Sequence, residues 1–503
     1  MEREEYGLAE RLLHRCAALL REYRVPLLAG LAAGLLAHGF VYTNKLVCAD
    51  ELTALFSKGG DFIFGRWLIG FTGLLFPDAS MPWIYGLLSL FGYTVAACLT
   101  IRLFSVRNPF LQGLLAALFV SFPSVTSLYC YFFTCIPYVL ALLLAVGSVC
   151  VGRRKGWLPA AVSVVLLVMS LGIYQAYVAV ASTYYLLLMI RSLLRGEEEK
   201  GVFLFGLRAI GLLAAAVLLY YGIDRLVLFA TGLSTVEYTV SDYGLLYKAA
   251  LAYNGLFKAI VKGYFGFAPR PLSRLVHILG VAAVLLYFIC WFVKNRDLRR
   301  GLLLALCLLL LPLSMNGIFL AASVEVIHSI SLFSFVCVYV LAVLVAERLE
   351  GKAGRIARDA AVTGMLLLVI VNVYFANEVY LKLYLEYENA FATWSETVAQ
   401  IRQTEGFDEN CRIAIVGKSD TLLYRPDELD TGGLLGPTGD LVNIYSREYL
   451  IRYYLGFDAE FLSWEEAWEL SFDPRVQAMP CCPYYGSVQR VDDVIVVKLG
   501  GYE

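Results

Sequence analysis

Charge is scarce in this chain. Of its 503 residues, 17% are charged, where roughly 25% is usual for a soluble domain. Lysines and arginines number 41 against 42 acidic residues, so the net charge is −1. That balance leaves no basic surplus to hold nucleic acid and no acidic tail. Motifs are scarce as well. There is no Walker sequence, no GxGxxG after a strand, no HExxH, no nucleophile elbow and no CxxC. Chemistry driven by ATP, or by a nucleotide-sugar on the cytoplasmic side, has no support. What fills the chain instead is apolar: 59% hydrophobic residues and a mean hydropathy of +0.68. These values exclude a soluble enzyme, a disordered chain and a disulfide mini-protein, and they indicate a polytopic membrane protein.

Uncharged stretches mark the spans, because a helix needs about 20 apolar residues to cross. Asn108–Gly152 and Gly156–Ile190 are each long enough for a hairpin of two spans. Single spans are expected near Val25–Tyr42, Pro82–Ile101, Ala209–Ile223, Leu275–Val293, Gly301–Leu320, His328–Ala346 and Ala360–Asn377. The expected fold is therefore a polytopic α-helical membrane protein of about eleven transmembrane helices. Three regions follow: a polar lead over 1–24 that does not read as a cleavable signal peptide, a membrane domain over 25–378, and a small α+β domain over 379–503. The last is suggested by a helix over Tyr380–Arg402 and strand-like runs at Arg412–Gly417 and Val494–Leu499.

Basic residues favour cytoplasmic loops. The lead and alternate loops carry 22 lysines and arginines, and the opposite loops carry 9. This places the N-terminus in the cytoplasm and the C-terminal domain outside the cell membrane. Twelve cysteines show no metal-type spacing. Cys411 is a candidate to pair with Cys481 or Cys482.

Polar groups near a membrane are costly and therefore informative. They concentrate in the first outer loop. Asp50 and Glu51 lie in an otherwise apolar segment and are candidates for acid–base work, or simply mark a helix end. Arg66 lies between Gly65 and Trp67. A guanidinium suits phosphate oxygens, though a snorkelling arginine beside a belt tryptophan reads the same way. The run Trp67–Pro77 is too short to span and reads as a re-entrant or interfacial helix. Farther on, Lys248, Lys258 and Lys262 fall within an arc of about 80° on a helix, as on an amphipathic helix facing lipid phosphates or as a solvated face. Asp224, Arg225 and Asp242 are further candidates. Tyr174 and Gln175 fall at a turn, where Gln175 is placed to bond a sugar hydroxyl or to cap a helix. Glu325 and His328 form an i, i+3 pair, more readily a structural hydrogen bond than a metal site. His14, His38 and His277 suggest nothing. No complete metal-ligand set is evident and no cofactor is identified; Asp50 with Glu51 offers a place for one divalent cation.

Four motifs in order, Ala49-Asp50-Glu51, Gly65-Arg66-Trp67, Tyr129–Tyr138 with Pro137, and Gly172-Ile173-Tyr174-Gln175-Ala176, resemble the membrane glucosyltransferases of the O-antigen-modifying type, the type II glucosyltransferase domain. The resemblance spans about residues 25–350. The usual acidic pair in that first loop is Asp-Asp; here the second position is Glu51, so either carboxylate is a candidate. The resemblance implies a GT-C-like transferase, a polyprenyl-phosphate-linked sugar as donor, glucose as the sugar, and an extracytoplasmic glycan as acceptor. It also implies a first-loop carboxylate as base with inversion at the anomeric carbon. Arg66, Lys258 and Lys262 are then placed for the donor phosphate, and Tyr174, Gln175 and Trp67 for sugar or acceptor. Membrane lipids surround the chain, and nucleic acid has no part. The rival readings are a lipid or polysaccharide transporter or flippase, which should show paired halves and mid-membrane polar breaks, and a polysaccharide polymerase or ligase, which should show an arginine-rich outer loop.

Overall fold

The computed structural model of the chain describes residues 7–46, 48–56, 62–74, 79–234, 244–321, 328–417, 429, 442–443 and 445–500. Asp242 and Glu325, read above as candidate residues, lie outside these, as do Lys58 and Asp61 of the first outer loop. The polar lead forms a helix, α1 (Leu8–Glu22), and α2 (Arg24–Thr43) follows. A short helix, α3 (Ala49–Thr53), leads to a 3-10 turn over Ile69–Leu74, the place where a re-entrant or interfacial helix is expected. Then come α4 (Pro82–Phe104), α5 (Pro109–Val120), α6 (Pro123–Leu128), α7 (Phe132–Gly152), α8 (Trp157–Ile173), α9 (Val178–Leu194) and α10 (Glu199–Thr231). The membrane body closes with α11 (Leu245–Lys262), α12 (Pro271–Asn295), α13 (Leu298–Met315), α14 (Ile318–Ala321), a 3-10 segment over Ser329–Val336, α15 (Cys337–Ala346) and α16 (Gly351–Gln403).

Among the described residues, ten helical segments have the length and composition to cross a membrane. Each expected span has a counterpart. The eleventh, α8, is apolar but has 17 residues, about 26 Å at 1.5 Å per residue, at the lower limit for spanning. One span is broken where a single helix is expected. Pro123 has no N–H to donate and pushes Phe122 into an extended conformation (ψ 137°), which separates α5 from α6. Two helices run well past their uncharged stretches. Charged residues at membrane ends do not stop a helix, so α10 has 33 residues and α16 has 53, about 80 Å. The expected last span and the helix after it are thus one rod.

Close helix approach needs small residues where no hydrophobic force drives association. A Cβ at Gly34 in α2 would lie 2.1 Å from Leu90, and one at Gly86 in α4 would lie 2.2 Å from the Tyr42 ring. His38 in α2 is fully buried and bonds the Tyr380 hydroxyl of α16 (2.7 Å) and the Val120 carbonyl (2.9 Å). His277 likewise bonds Ser273 and Tyr339. Both serve as polar pins in the apolar body.

The basic loops meet at one end of the bundle. Arg191 reaches the Leu103 carbonyl and Ser105, Arg348 reaches the Leu194 carbonyl, and Arg300 pairs with Glu199. At the opposite end gather residues 49–56 and 62–74, the 128–132 turn, the 173–178 turn and His328. On that end α16 carries a four-stranded sheet of order β2-β1-β4-β3, with β1 (Arg412–Val416), β2 (Glu460–Phe461), β3 (Val488–Val491) and β4 (Val494–Lys498). The two runs read as strands, β1 and β4, pair in parallel from Arg412↔Val494 to Val416↔Lys498. Nearly every residue of both is buried, as expected when both faces are covered. One face packs Ala414, Val416, Val494 and Val496 with Val476 of α19 (Pro474–Ala478), while α17 (Arg447–Leu455) and α18 (Trp464–Leu470) complete the domain. All twelve thiols are free, so Cys411 makes no bridge to Cys481 or Cys482. The Cys411 sulfur accepts from the Asp408 amide instead, and Cys482 sits against Ser487.

Candidate functional site

The acidic pair is split by local geometry. Asp50 and Glu51 are adjacent in the short helix α3, so their side chains leave its axis about 100° apart. Glu51 turns inward and is fully buried. Its carboxylate accepts from the Lys45 ammonium (2.6 Å), the Ser80 hydroxyl and the Phe133 amide (3.2 Å). That is a structural anchor tying α3 to the base of α4 and to the start of α7. Asp50 turns outward and is exposed. One of its oxygens accepts from the Tyr445 hydroxyl at 2.8 Å. The phenol comes from the C-terminal domain, 395 residues away in sequence. Partial burial, and the bond to Asp50 that favours the protonated phenol, push the Tyr445 pKa up to about 12. Tyr445 is therefore a donor at any physiological pH.

Removing the anchor should show first in stability. Glu51→Gln keeps the shape but leaves the Lys45 ammonium without its counter-charge. Breaking a fully buried pair costs about 3–5 kcal/mol. Lys45 retains some solvent contact (23% exposed side chain), which lowers the expected loss to about 1–3 kcal/mol. Thermal unfolding of the purified variant in detergent checks this.

Arg66 is held by a different set of residues. Its guanidinium carbon lies 5.6 Å from the Tyr174 ring centroid and 5.8 Å from those of Tyr138 and Phe64. Tyr138 and Tyr174 stack face to face, with centroids 3.9 Å apart. Cation–π attraction within about 6 Å, in a desolvated setting, is worth up to about 2 kcal/mol. The loop that carries Arg66 is pinned on both sides. Gln175 donates to the Phe64 carbonyl (2.8 Å) and to the Tyr220 hydroxyl (2.9 Å), and Tyr220 donates to the Gly65 carbonyl (3.0 Å). Gly65 has φ +71°, and a Cβ there would lie 2.4 Å from the Tyr220 hydroxyl and 3.3 Å from an Asp224 oxygen. On the other side, Leu68 donates to the Gly172 carbonyl (2.8 Å), and Trp67 lies so close over Gly172 that a Cβ would be 2.7 Å from its ring. Trp67, Tyr174 and Gln175 thus act together to seat Arg66.

Three bonds link the Asp50 and Arg66 sides. The Cys48 thiol, two residues before Asp50, donates to the Cys130 carbonyl (3.1 Å), and the next residue, Tyr131, bonds His328 at 3.3 Å. Three residues on, Ser331 bonds the Tyr174 hydroxyl at 2.9 Å. The segment 328–331 therefore spans from the neighbourhood of the carboxylate to the arginine's aromatic seat. Asp224 is buried at 6% exposure beside this seat, and Arg225 stacks on Tyr221 (4.8 Å).

Lys258 and Lys262 belong to another group of elements. Their helix, α11, is formed as expected and packs on α12, α13 and α14 through Ala252, Gly255 and Ala259. Lys258 sits over the Tyr264 ring at 5.6 Å, and Lys262 is exposed. Among the described residues, no three His, Cys, Asp or Glu side chains gather as a metal site.

Sequence reading missed Lys45, Ser80 and Tyr445. Lys45 carried a faint signal, six residues before Glu51 in the same loop. Tyr445 carried none, because only folding brings it to Asp50. The arrangement offers an open carboxylate at the bundle end, a preorganised cation, and long apolar helices around both. The family model described as glucosyl transferase GtrII matches residues 39–345, more than half of the chain and the part that holds both groups. No curated protein matches the chain, and no solved structure matches it.

Proposed function

Because the chain belongs to the glucosyl transferase GtrII family, and is a glycosyltransferase with many membrane-crossing helices, we propose that it moves glucose from a polyprenyl-phosphate carrier to a glycan outside the cell. In this reading the N-terminus is cytoplasmic, and the end that carries Asp50, Arg66 and the C-terminal domain faces outward. The asymmetry of basic residues between the two bundle ends supports that orientation.

Asp50 is the base. The observation that carries this role is the split of the acidic pair: Glu51 is consumed by Lys45, Ser80 and Phe133, whereas Asp50 is exposed and held through one oxygen by Tyr445. Its other oxygen takes the proton of the acceptor hydroxyl. The hydroxyl oxygen forms a bond to the anomeric carbon as the bond from that carbon to the phosphate oxygen breaks on the opposite face, which inverts the centre. The departing electron pair stays on the lipid phosphate. Arg66, fixed over Tyr138 and Tyr174, faces that charge without reorganising, which is where electrostatic catalysis gains most. The step balances without a nucleotide, a redox partner or a metal ion. The lysines of α11 are better placed for lipid headgroups around the donor than for the reacting phosphate, since they pack apart from the Arg66 seat.

Purified chain in lipid nanodiscs, given synthetic polyprenyl-phosphate-glucose and an envelope oligosaccharide, should release polyprenyl phosphate and glucosylate the oligosaccharide. Use of a nucleotide-linked glucose in place of the lipid donor would overturn the reading.

A further inference from the structure

The contact between Tyr445 and Asp50 opens a row of rings. Tyr445, Tyr449 and Tyr453 recur every four residues at and along α17, and all three are exposed (50%, 36% and 45%). Four residues of helix rise about 6 Å, the scale of one hexose unit in an extended chain. The Tyr449 and Tyr453 centroids are 6.1 Å apart. Phe56, from the loop after α3, meets Tyr453 edge to face at 5.0 Å and is itself exposed. The row therefore starts at the exposed carboxylate, runs along the C-terminal domain, and is flanked by the first loop.

Resting on the function proposed above, we propose that this row is the binding subsite for the acceptor glycan, with pyranose C–H faces stacking on Tyr449 and Tyr453 and the reacting hydroxyl delivered to Asp50 beside Tyr445. A lipid surface is the competing occupant, since tyrosines also collect at membrane interfaces. The chemistry of the helix favours sugar. A lipid-facing helix turns its aliphatic residues outward. Here Leu450 and Ile451 are fully buried, and the exposed face holds the three phenols with the Arg452–Asp458 ion pair (2.9 Å). Rings that keep hydroxyls, set next to hydrogen-bonding charges, fit a ligand that presents alternating C–H and O–H faces. The other side of the helix is committed to the domain, with Arg447 bonding the Ile415 carbonyl (2.7 Å) and the Gly417 carbonyl (3.1 Å).

The test uses the full chain in nanodiscs, with polyprenyl-phosphate-glucose as donor. The acceptor probe is a soluble oligosaccharide released from the envelope of a host strain that lacks this chain. Tyr449→Ala and Tyr453→Ala should each raise the acceptor KM by about tenfold, the scale of one lost aromatic stack. The donor KM and kcat at saturating acceptor should stay unchanged, and Tyr449→Phe and Tyr453→Phe, which keep the ring face and lose only the hydroxyl, should raise the acceptor KM less than the alanine variants do. Saturation-transfer NMR without donor gives a readout independent of turnover: irradiating the protein should mark pyranose ring protons of the probe, less so in the alanine variants. An unchanged acceptor KM, or a rise in donor KM instead, overturns the subsite and assigns the rings to lipid. An absence of saturation transfer to the probe with wild type also overturns it. Failure of wild type to consume the lipid donor is a different result, which removes the transferase reading rather than this subsite alone.

Discussion

Asp50→Asn should lower the transfer rate at saturating substrates by about two to four orders of magnitude, the usual contribution of a positioned general base. The substitution keeps size and still accepts the Tyr445 hydrogen bond, so the contact between the two domains survives and the loss reports on proton removal. Binding of both substrates should change little, because the amide occupies the same space. Glu51→Gln supplies the contrast. Its carboxylate is buried against Lys45 and is closed to substrate, so the variant should unfold at lower temperature yet transfer at near-normal rate while folded. Initial rates on the two purified variants, each checked for monodispersity, separate the roles. If both keep near-normal turnover, neither residue is the base. If Glu51→Gln alone loses turnover in a folded protein, the assignment within the pair is reversed.

Arg66→Lys should lower turnover by about 10²–10³-fold, the range seen when one preorganised charge-stabilising donor is removed. The lysine keeps the charge and loses the planar fork that meets two phosphate oxygens at once. It also loses the guanidinium that sits 5.6–5.8 Å from the Tyr174 and Tyr138 ring centroids, so the remaining charge is less well aimed. The effect belongs to the transition state, where the phosphate gains charge, so kcat and kcat/KM should fall together with little change in donor KM. A large rise in donor KM with unchanged kcat would show instead that Arg66 only anchors the lipid phosphate. Steady-state rates over a donor series decide between these.

The membrane body was legible from composition because the rule is local: a helix in lipid must satisfy its own backbone, so an uncharged run of sufficient length declares itself. The runs misjudged length where charged ends continue a helix, as in α10 and α16, and continuity where Pro123 divides α5 from α6. The strands β1 and β4 were readable from their dense β-branched runs, while their partnership across more than eighty residues was not. The motif residues Arg66, Trp67, Tyr174 and Gln175 were visible singly. Their joint purpose was not, since Gln175 and Trp67 do their work by gripping the backbone at Phe64 and Gly172.

By itself, the sequence determined that this chain crosses the membrane many times, which bundle end is basic, and which few polar residues are candidates for chemistry, because burial in lipid penalises charge residue by residue. The tertiary structure decided which of two adjacent carboxylates is open. That choice depends on Lys45, Ser80 and the Phe133 amide closing around Glu51, and on Tyr445 arriving at Asp50 from the far end of the chain. A hydrogen bond between distant residues leaves no periodicity in a sequence. It exists only once the fold has brought donor and acceptor within about 3 Å.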